Sequence, residues 1–103
     1  MNSFSVSRAA RADLKNIAAY TQNTWGAEQR KTYLKGLDTA FHFLAKSPHG
    51  GTRCDYIVSG LRKHRHESHT IFYENRPDCI FIVRVVHKSM DAESKFISHN
   101  API

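Results

Sequence analysis

The residues of this sequence with the densest charge form one short basic run, Arg62-Lys63-His64-Arg65-His66. Guanidinium and ammonium groups bind phosphates and carboxylates, so the run predicts a surface for an anionic partner. The alternative is a solvated edge strand, because natural sheet edges carry Lys and Arg that block aggregation. No aromatic residue is interleaved with the cations, which gives little support to stacking of nucleic-acid bases. Both interpretations stay open on residue type alone.

Seven histidines in 103 residues raise the possibilities of metal binding and acid–base chemistry. Imidazoles two residues apart on a strand, such as His64 and His66, share a face and can converge on a metal ion. The neighbouring segments supply no obvious carboxylate or thiolate cluster, so we expect no metal and no cofactor. His87 is a weaker candidate for a general base, because no Ser, Cys or carboxylate is visibly paired with it.

Arg84 interrupts the most apolar stretch of the chain, between Val83 and Val85. A charge in that position must find a partner or face a groove, because desolvating an unpaired guanidinium is expensive. We expect Arg84 to contact a target or a partner protein in preference to forming an internal ion pair.

Two apolar stripes at helical spacing predict two helices in the first half of the chain. From Arg8 the apolar positions advance by three and four residues to Trp25, and Gly26 follows as a natural break. A second stripe ends at Leu44, ahead of Pro48, where a helix can no longer continue. Because one to three residues join the two stripes, the helices should form an antiparallel hairpin.

Three residues of the predicted helices carry further expectations. Tyr20 and Trp25 are expected to be core aromatics near the hairpin turn, with an exposed patch for a partner helix as the alternative. Gly36 lies inside the second stripe, where glycine costs about 1 kcal/mol relative to alanine. Its place there suggests a close approach between the two helices.

The remaining segments predict strands. Residues 4–6 alternate in polarity, residues 60–66 and 69–74 are bounded by turn residues, and residues 79–87 are apolar on both faces, as a central strand would be. The predicted fold is α+β in the order β-α-α-β-β-β, with the helical hairpin packed on a small antiparallel sheet.

One face of this predicted sheet packs on the hairpin, and the other needs a second cover, from the C-terminal segment or from a partner. By alternation along the last strand, that second face should carry Ile80, Ile82, Arg84 and Val86.

Length and charge narrow the class of protein. The chain has 15 Lys and Arg against 9 Asp and Glu, a net charge of +6, and a pI of about 9.6. We expect one domain over residues 1–103, with residues 91–103 as a tail that is a short helix or flexible. This size excludes a two-lobed enzyme, and the positive balance favours an anionic partner.

Cysteine usage and the termini predict a cytoplasmic protein without membrane contact. Cys54 and Cys79 form neither a disulfide framework nor a zinc or redox motif. The first residues lack an apolar run of signal-peptide length, and no stretch approaches the roughly 20 apolar residues of a membrane span. The sequence also contains no phosphate-binding loop, nucleophile-elbow or zinc-protease motif.

Taken together, these segments resemble the ParE toxins of the RelE/ParE superfamily over roughly residues 4 to 91. The resemblance rests on the order and spacing of motifs that are individually weak. These motifs are Ala12-Asp13-Leu14 with Ile17, Tyr20-Thr21, Trp25-Gly26, Tyr33, Leu37, Leu44-Ala45, Ser47-Pro48, Gly60-Leu61-Arg62, His69-Thr70-Ile71-Phe72-Tyr73, and the run from Ile80 to Asp91.

The resemblance implies the toxin half of a type II toxin–antitoxin pair and a RelE/ParE-like fold. Toxins of this kind inhibit DNA gyrase, block replication and arrest growth, and their loci stabilise plasmids or chromosomes. A ParD-like antitoxin neutralises them by wrapping the toxin with an extended or helical segment, which would cover the open sheet face. DNA would then be reached only indirectly, through the antitoxin or the gyrase complex.

Two alternatives accompany this interpretation. The related RelE branch cleaves mRNA on the ribosome, and Arg84 matches an arginine position shared with that branch. The tail from residue 92 to 103 has no tyrosine of the kind those nucleases often use, so we expect no enzymatic activity. A non-toxic binding module of the same fold is the second alternative.

The residues expected to act follow from these hypotheses. Under the endoribonuclease alternative, phosphate stabilisation and acid–base work fall to Arg62, Arg65, Arg84 and His87. The residues expected to contact the target or the antitoxin are Arg62, Lys63, Arg65, Arg84, His87, Met90 and Trp25.

Overall fold

A computed structural model of the chain describes residues 3–89, which form a five-stranded sheet with a helical hairpin on one face. The elements are β1 (Phe4–Val6), α1 (Arg8–Trp25), α2 (Ala27–Lys46), β2 (Thr52–Arg53), β3 (Leu61–His66), β4 (His69–Asn75) and β5 (Ile80–His87). Their order across the sheet is β1-β5-β4-β3-β2. Met90 and the tail 91–103, for which a short helix or a flexible segment was predicted, lie outside the described residues.

The helical hairpin is confirmed, and local capping explains its limits. Ser7 precedes α1, and its hydroxyl accepts a hydrogen bond from the Ala10 amide at 2.9 Å while donating to the Val83 carbonyl at 2.7 Å. Gly26, at a φ of 96°, is the single residue between the helices. Such a φ suits glycine, which has no Cβ to clash with its own backbone. The chain therefore reverses within one residue and α2 runs back along α1.

The predicted antiparallel pairing of the last three strands is confirmed, and β1 makes the sheet as a whole mixed. β1 pairs with β5 in parallel, with Phe4 opposite Ile80 and Val6 opposite Ile82. The hairpin is the connection that follows β1, and β1 lies at the edge beside the last strand of the chain. Nothing local in a three-residue strand specifies its direction relative to a partner more than 70 residues away. A two-residue strand, β2, pairs with β3 and was also not predicted.

A bulge in β5 overturns the predicted assignment of residues to faces. Tyr73 pairs with Ile82 and Phe72 pairs with Arg84, so Val83 is an extra residue in the ladder. An extra residue shifts the inside–outside alternation by one position. Ile80 and Ile82 therefore pack against the helices, and Val86 lies in a separate cluster on the opposite face.

The opposite face of the sheet is partly covered by the chain itself. Cys54, Leu61, Phe72 and Val86 are buried there, with solvent-accessible fractions of 3% or less. Ile57 and Val58, from the segment that joins β2 to β3, pack on this cluster. A second cover was expected from the C-terminal segment or a partner, and this connection supplies part of it.

A buried tyrosine holds the loop between α2 and β2 against the sheet. The Tyr73 hydroxyl donates to the Pro48 carbonyl at 3.0 Å and accepts from the Gly51 amide at 2.9 Å. A Cβ at Gly51 would meet the Tyr73 hydroxyl and lie 2.7 Å from the Lys63 carbonyl. This close approach requires glycine at position 51, and it aligns the segment that enters β2.

We expect Tyr73→Phe to lower the free energy of unfolding by about 1–3 kcal/mol, because two loop groups lose their buried partner. Urea denaturation monitored by circular dichroism measures the change. Tyr20→Phe is the matched control, since Tyr20 is 67% exposed and should change stability by less than about 0.5 kcal/mol. Equal effects of the two substitutions would contradict this role for Tyr73.

Candidate functional site

The basic run on β3 is divided between the two faces of the sheet, as strand alternation predicts. Arg62 pairs with Tyr73 and His64 pairs with Ile71, both in the core beneath the helices. Lys63 pairs with Phe72, on the opposite face. The side chains of the run therefore point to two opposite faces of the sheet and do not converge on one ligand.

Two of the cations on β3 are bonded to main-chain oxygens. Arg62 donates from Nη1 to the Gly51 carbonyl at 2.8 Å and to the His49 carbonyl at 3.4 Å. Arg65 donates from Nε to the carbonyl of Glu67, in the turn to β4, at 2.9 Å. Within residues 3–89, the side chain of Lys63 forms no hydrogen bond or ion pair. Lys63 and the exposed Arg65 are the positive charges that this face of β3 presents.

Arg84 forms a two-pronged ion pair with Asp13 of α1. Its Nε and Nη2 donate to the two carboxylate oxygens, both at 2.8 Å, and the side chains are 19% and 13% exposed. Asp13 also accepts from the Val85 amide at 2.9 Å. The hydrogen bond to Asp13 raises the pKa of Arg84 above its usual range. The expectation that Arg84 would contact a partner in preference to forming an internal ion pair is wrong, and a contact with a target stays a prediction beside this internal role.

Asp13 is a residue whose role sequence reasoning missed. It stands on α1 between Ala12 and Leu14, and its type alone does not distinguish a solvated carboxylate from one turned toward the sheet. The sequence held a signal only in the combination of two features. One is the charge of Arg84 inside an apolar strand, and the other is the acid Asp13 at the edge of a helical apolar stripe. Only the fold shows that these two positions meet.

His87, a predicted contact residue, lies in a cluster of rings where β3, β4 and β5 approach α2. Its ring centre is 5.3 Å from that of His69, and its Nδ1 is 2.7 Å from the Ser89 hydroxyl. His69 Nδ1 lies 2.6 Å from the hydroxyl of Tyr33, and the His66 ring packs edge-on against Tyr33 at 5.7 Å. The cluster joins the helical hairpin to three strands.

Burial sets the proton affinities in this cluster. Desolvation, with smaller contributions from His87 and His66, lowers the pKa of His69 from 6.5 to about 4. Desolvation also raises the pKa of the Tyr33 hydroxyl. His69 is therefore neutral at physiological pH.

The pair His64 and His66 is covered by aromatic rings of α2. The His64 ring lies 5.7 Å from that of Phe43, and desolvation lowers the pKa of His64. A Cβ at Gly36 would lie 3.2 Å from His66 Nε2, so the close approach at Gly36 is to β3 and the predicted helix–helix approach is wrong. Within residues 3–89, no three His, Cys, Asp or Glu side chains gather as a metal ion would require.

The aromatics near the hairpin turn are exposed, so the expectation of a core position was wrong. Tyr20 is 67% and Trp25 is 70% accessible. Trp25 is the last residue of α1, directly before the turn at Gly26, where no other element packs over it. The alternative, an exposed patch available to a partner, fits this placement. Met90, also named as a contact, lies outside the described residues.

The residues of the endoribonuclease alternative are dispersed. Arg62 and Arg65 lie on opposite faces of β3, and β4 separates both from Arg84 on β5. His87 lies at the end of β5, against His69.

Within residues 3–89, neither helix is both long and apolar enough to cross a bilayer.

Comparison with known proteins places residues 4–92 in the profile of a family described as "ParE toxin of type II toxin-antitoxin system, parDE". The chain is 39% identical over 89 residues to Toxin ParE1 of Mycobacterium tuberculosis, covering 85% of this chain and 91% of that one. It is 33% identical over 94 residues to Toxin ParE1 of Caulobacter vibrioides, covering 91% and 97%.

A solved structure titled "Chromosomal ParDE TA system from P. aeruginosa" has a chain with the same fold. The two superpose with a TM-score of 0.73 at 21% identity, over 84% of this chain and 96% of that one. At this identity the likeness concerns the fold.

We expect Asp13→Ala to lower the free energy of unfolding by about 3 kcal/mol, because it leaves a largely buried guanidinium and the Val85 amide without a partner. Urea denaturation measures the change. Asp38→Ala is the control, since the Asp38–His42 pair is 61% and 57% exposed and such pairs contribute less than about 1 kcal/mol. Comparable losses in both variants would show that the ion pair to Arg84 has no special weight.

We expect stability to decline as the pH falls from about 7.5 to 5.5, because the folded state holds His69 neutral. Because the pKa of His69 is lower in the folded state than in the unfolded state, the neutral imidazole contributes stability above the unfolded pKa near 6.5. That contribution is lost as the pH falls toward the folded pKa of about 4. After allowance for partial solvent access, the loss by pH 5.5 is about 1 kcal/mol or less.

In urea denaturation across that pH range, the free energy of unfolding should change less with pH for His69→Gln than for the unsubstituted chain. His42→Gln, on the exposed side of α2, is the matched replacement of a histidine. If His42→Gln flattens the dependence as much as His69→Gln, the assignment to His69 is wrong.

Proposed function

The chain belongs to the ParE toxin family of type II toxin–antitoxin systems, and from that premise we propose that it is a non-enzymatic inhibitor of DNA gyrase that a ParD-like antitoxin neutralises. The observation that carries the proposal is the family match over residues 4–92. The net charge of +6 supports it, because both an acidic antitoxin and a nucleoprotein target would be attracted to a basic surface.

The bonding of the arginines supports a non-enzymatic mechanism. A nuclease needs cations and an acid–base group that converge on one phosphate, within hydrogen-bond reach of the reacting atoms. Here Arg84 is paired with Asp13, Arg62 is bonded to the Gly51 carbonyl, and Arg65 points to the other face. We therefore rank ribosome-dependent mRNA cleavage second.

The face of the sheet opposite the helices is the proposed antitoxin surface. Lys63 is half-buried and Arg65 is exposed on this face. On the same side, Ile57, Val58 and Val83 are half-buried around the cluster of Leu61 and Phe72. An acidic segment with apolar anchors would match this combination, since interfaces join an apolar centre to a polar rim.

Trp25 is the proposed second contact, at the opposite end of α1. A tryptophan that is 70% exposed buries a large apolar area when a partner covers it, and tryptophan is among the residues that dominate binding energies. Because Trp25 belongs to the helical layer, on the other side of the sheet from Lys63 and Arg65, it is accessible to a target in the toxin that is free of antitoxin. We assign Lys63 and Arg65 to the antitoxin and Trp25 to the target.

The purified chain should inhibit supercoiling by purified gyrase and accumulate cleavage complexes, and addition of the antitoxin should reverse both effects. Trp25→Ala should weaken the inhibition, whereas Lys63→Ala/Arg65→Ala should retain inhibition and require more antitoxin for reversal. The matched control is Lys31→Ala/Lys35→Ala, which removes two exposed charges of α2.

Ribosomal mRNA cleavage is assayed in parallel with the same preparations. Unaffected gyrase together with transcripts cut on the ribosome would reject gyrase inhibition in favour of the endoribonuclease alternative. No growth arrest on expression and no effect in either assay would favour the non-toxic binding module.

A further inference from the structure

Most of the free positive charge of the described chain lies on the helices. On the sheet and its turns the arginines are bonded internally, and Lys63 is not: the pairs and contacts are Arg53–Asp55, Arg62–Gly51, Arg65–Glu67, Arg76–Glu74 and Arg84–Asp13. In contrast, Arg8, Arg11 and Lys15 of α1 are exposed and form no hydrogen bond or ion pair through their side chains with any residue from 3 to 89. α1 thus carries a second basic surface, which sequence reasoning did not select.

These three cations lie in a row along one face of α1. Steps of three and four residues keep them on one side of a helix, about 4.5 and 6 Å apart along its axis. The buried residues Ala10 and Ile17 lie on the opposite side. The same outward face carries alanines at positions 12 and 19, which do not obstruct a close approach.

The row is placed where a helix least favours positive charge. The first turns of a helix carry the positive end of its dipole, so anions stabilise them and cations do not. No acidic residue occupies the first turn of α1, and Asp13 is committed to Arg84. Stability alone would favour acidic residues here, so the cations point to an anionic partner.

We propose that the outward face of α1, from Arg8 to Lys15, binds the phosphate backbone of duplex DNA directly. A DNA strand presents one phosphate per 3.4 Å of helix axis, a regular row that a line of cations along one helix face can follow. The face carries no aromatic side chain on which unstacked bases could stack, so it suits a duplex better than a single strand. It also offers no large apolar anchor for a protein partner.

This inference goes beyond the proposed function, in which DNA is reached only through the antitoxin or gyrase. α2 does not present an equivalent surface, because Glu28 and Asp38 alternate there with Lys31 and Lys35. The acidic residues Glu28 and Asp38 of α2 would repel a row of phosphates at their positions. α1 therefore has the more favourable surface of the two helices.

Fluorescence anisotropy of the full chain with a short labelled duplex of arbitrary sequence tests the proposal. Three phosphate contacts predict a slope of about −2.7 in log K against log salt, a loss of about 40-fold in affinity between about 50 and 200 mM NaCl. Arg8→Gln/Arg11→Gln/Lys15→Gln should remove this slope. The melting temperature of that variant should be equal or higher, since the helix dipole no longer opposes the charges.

The control is Lys31→Gln/Lys35→Gln/Lys46→Gln, which removes the same charge from exposed positions of α2. Retention of the slope in this control, with its loss in the α1 variant, supports the proposal. Equal losses in the two variants would reduce the effect to net charge and overturn it, as would the absence of saturable binding by the unsubstituted chain.

A second arm distinguishes DNA from an acidic polypeptide. Polyglutamate of matched charge should compete weakly for the α1 face, and competition as strong as that of unlabelled duplex would overturn the assignment to DNA. These measurements contain no gyrase. A failure of gyrase inhibition with intact duplex binding, or the reverse, therefore identifies which proposal is wrong.

Discussion

The joining of the two layers of the fold, the helical hairpin and the sheet, depends on the contacts of the Asp13 carboxylate. β1 covers the edge of β5 only as far as Ile82, and Ser7 extends the contact to the Val83 carbonyl. Beyond the bulge, the Val85 amide is met by Asp13, which also neutralises Arg84. One side chain therefore satisfies a strand edge, pairs a largely buried charge and fixes α1 against the sheet. Because Gly26 alone joins the helices, α2 follows the position of α1.

This arrangement determines which charges remain available to partners. A guanidinium committed to a carboxylate or to carbonyls of its own loop loses donors for binding and gains a structural role. Arg84 and Arg62 are in that position, whereas Lys63 and the exposed cations of α1 are not. The molecule thus presents two separate basic surfaces, one on each side of the sheet.

The ring cluster lies at the C-terminal end of β5, beside the contacts of Asp13, and couples the same layers by a different means. Tyr33 of α2 contacts His69, and His69 packs on His87. The contact needs a neutral imidazole, because protonation would place a charge among rings that exclude water. Acidic conditions therefore act on the packing of the helices against the sheet.

The sequence by itself determined the elements and much of their order. Periodicity marked both helices, Gly26 the turn and residues 79–87 the central strand, because these signals are local and each depends on neighbours within a few positions. Family resemblance added the class of protein, which the comparisons confirm.

Only the tertiary structure decided the face on which Ile80 and Ile82 pack, the parallel pairing of β1, the partner of Arg84 and the exposure of Trp25. Each depends on residues distant in sequence: the bulge at Val83 exists only in the ladder with β4, and Asp13 meets Arg84 across 71 positions. The hydrophobic pattern shows which residues must be buried, and the chain topology decides which other residues bury them. The same limit hid the cations of α1, since the bonds that engage the cations of the sheet form only in the folded chain.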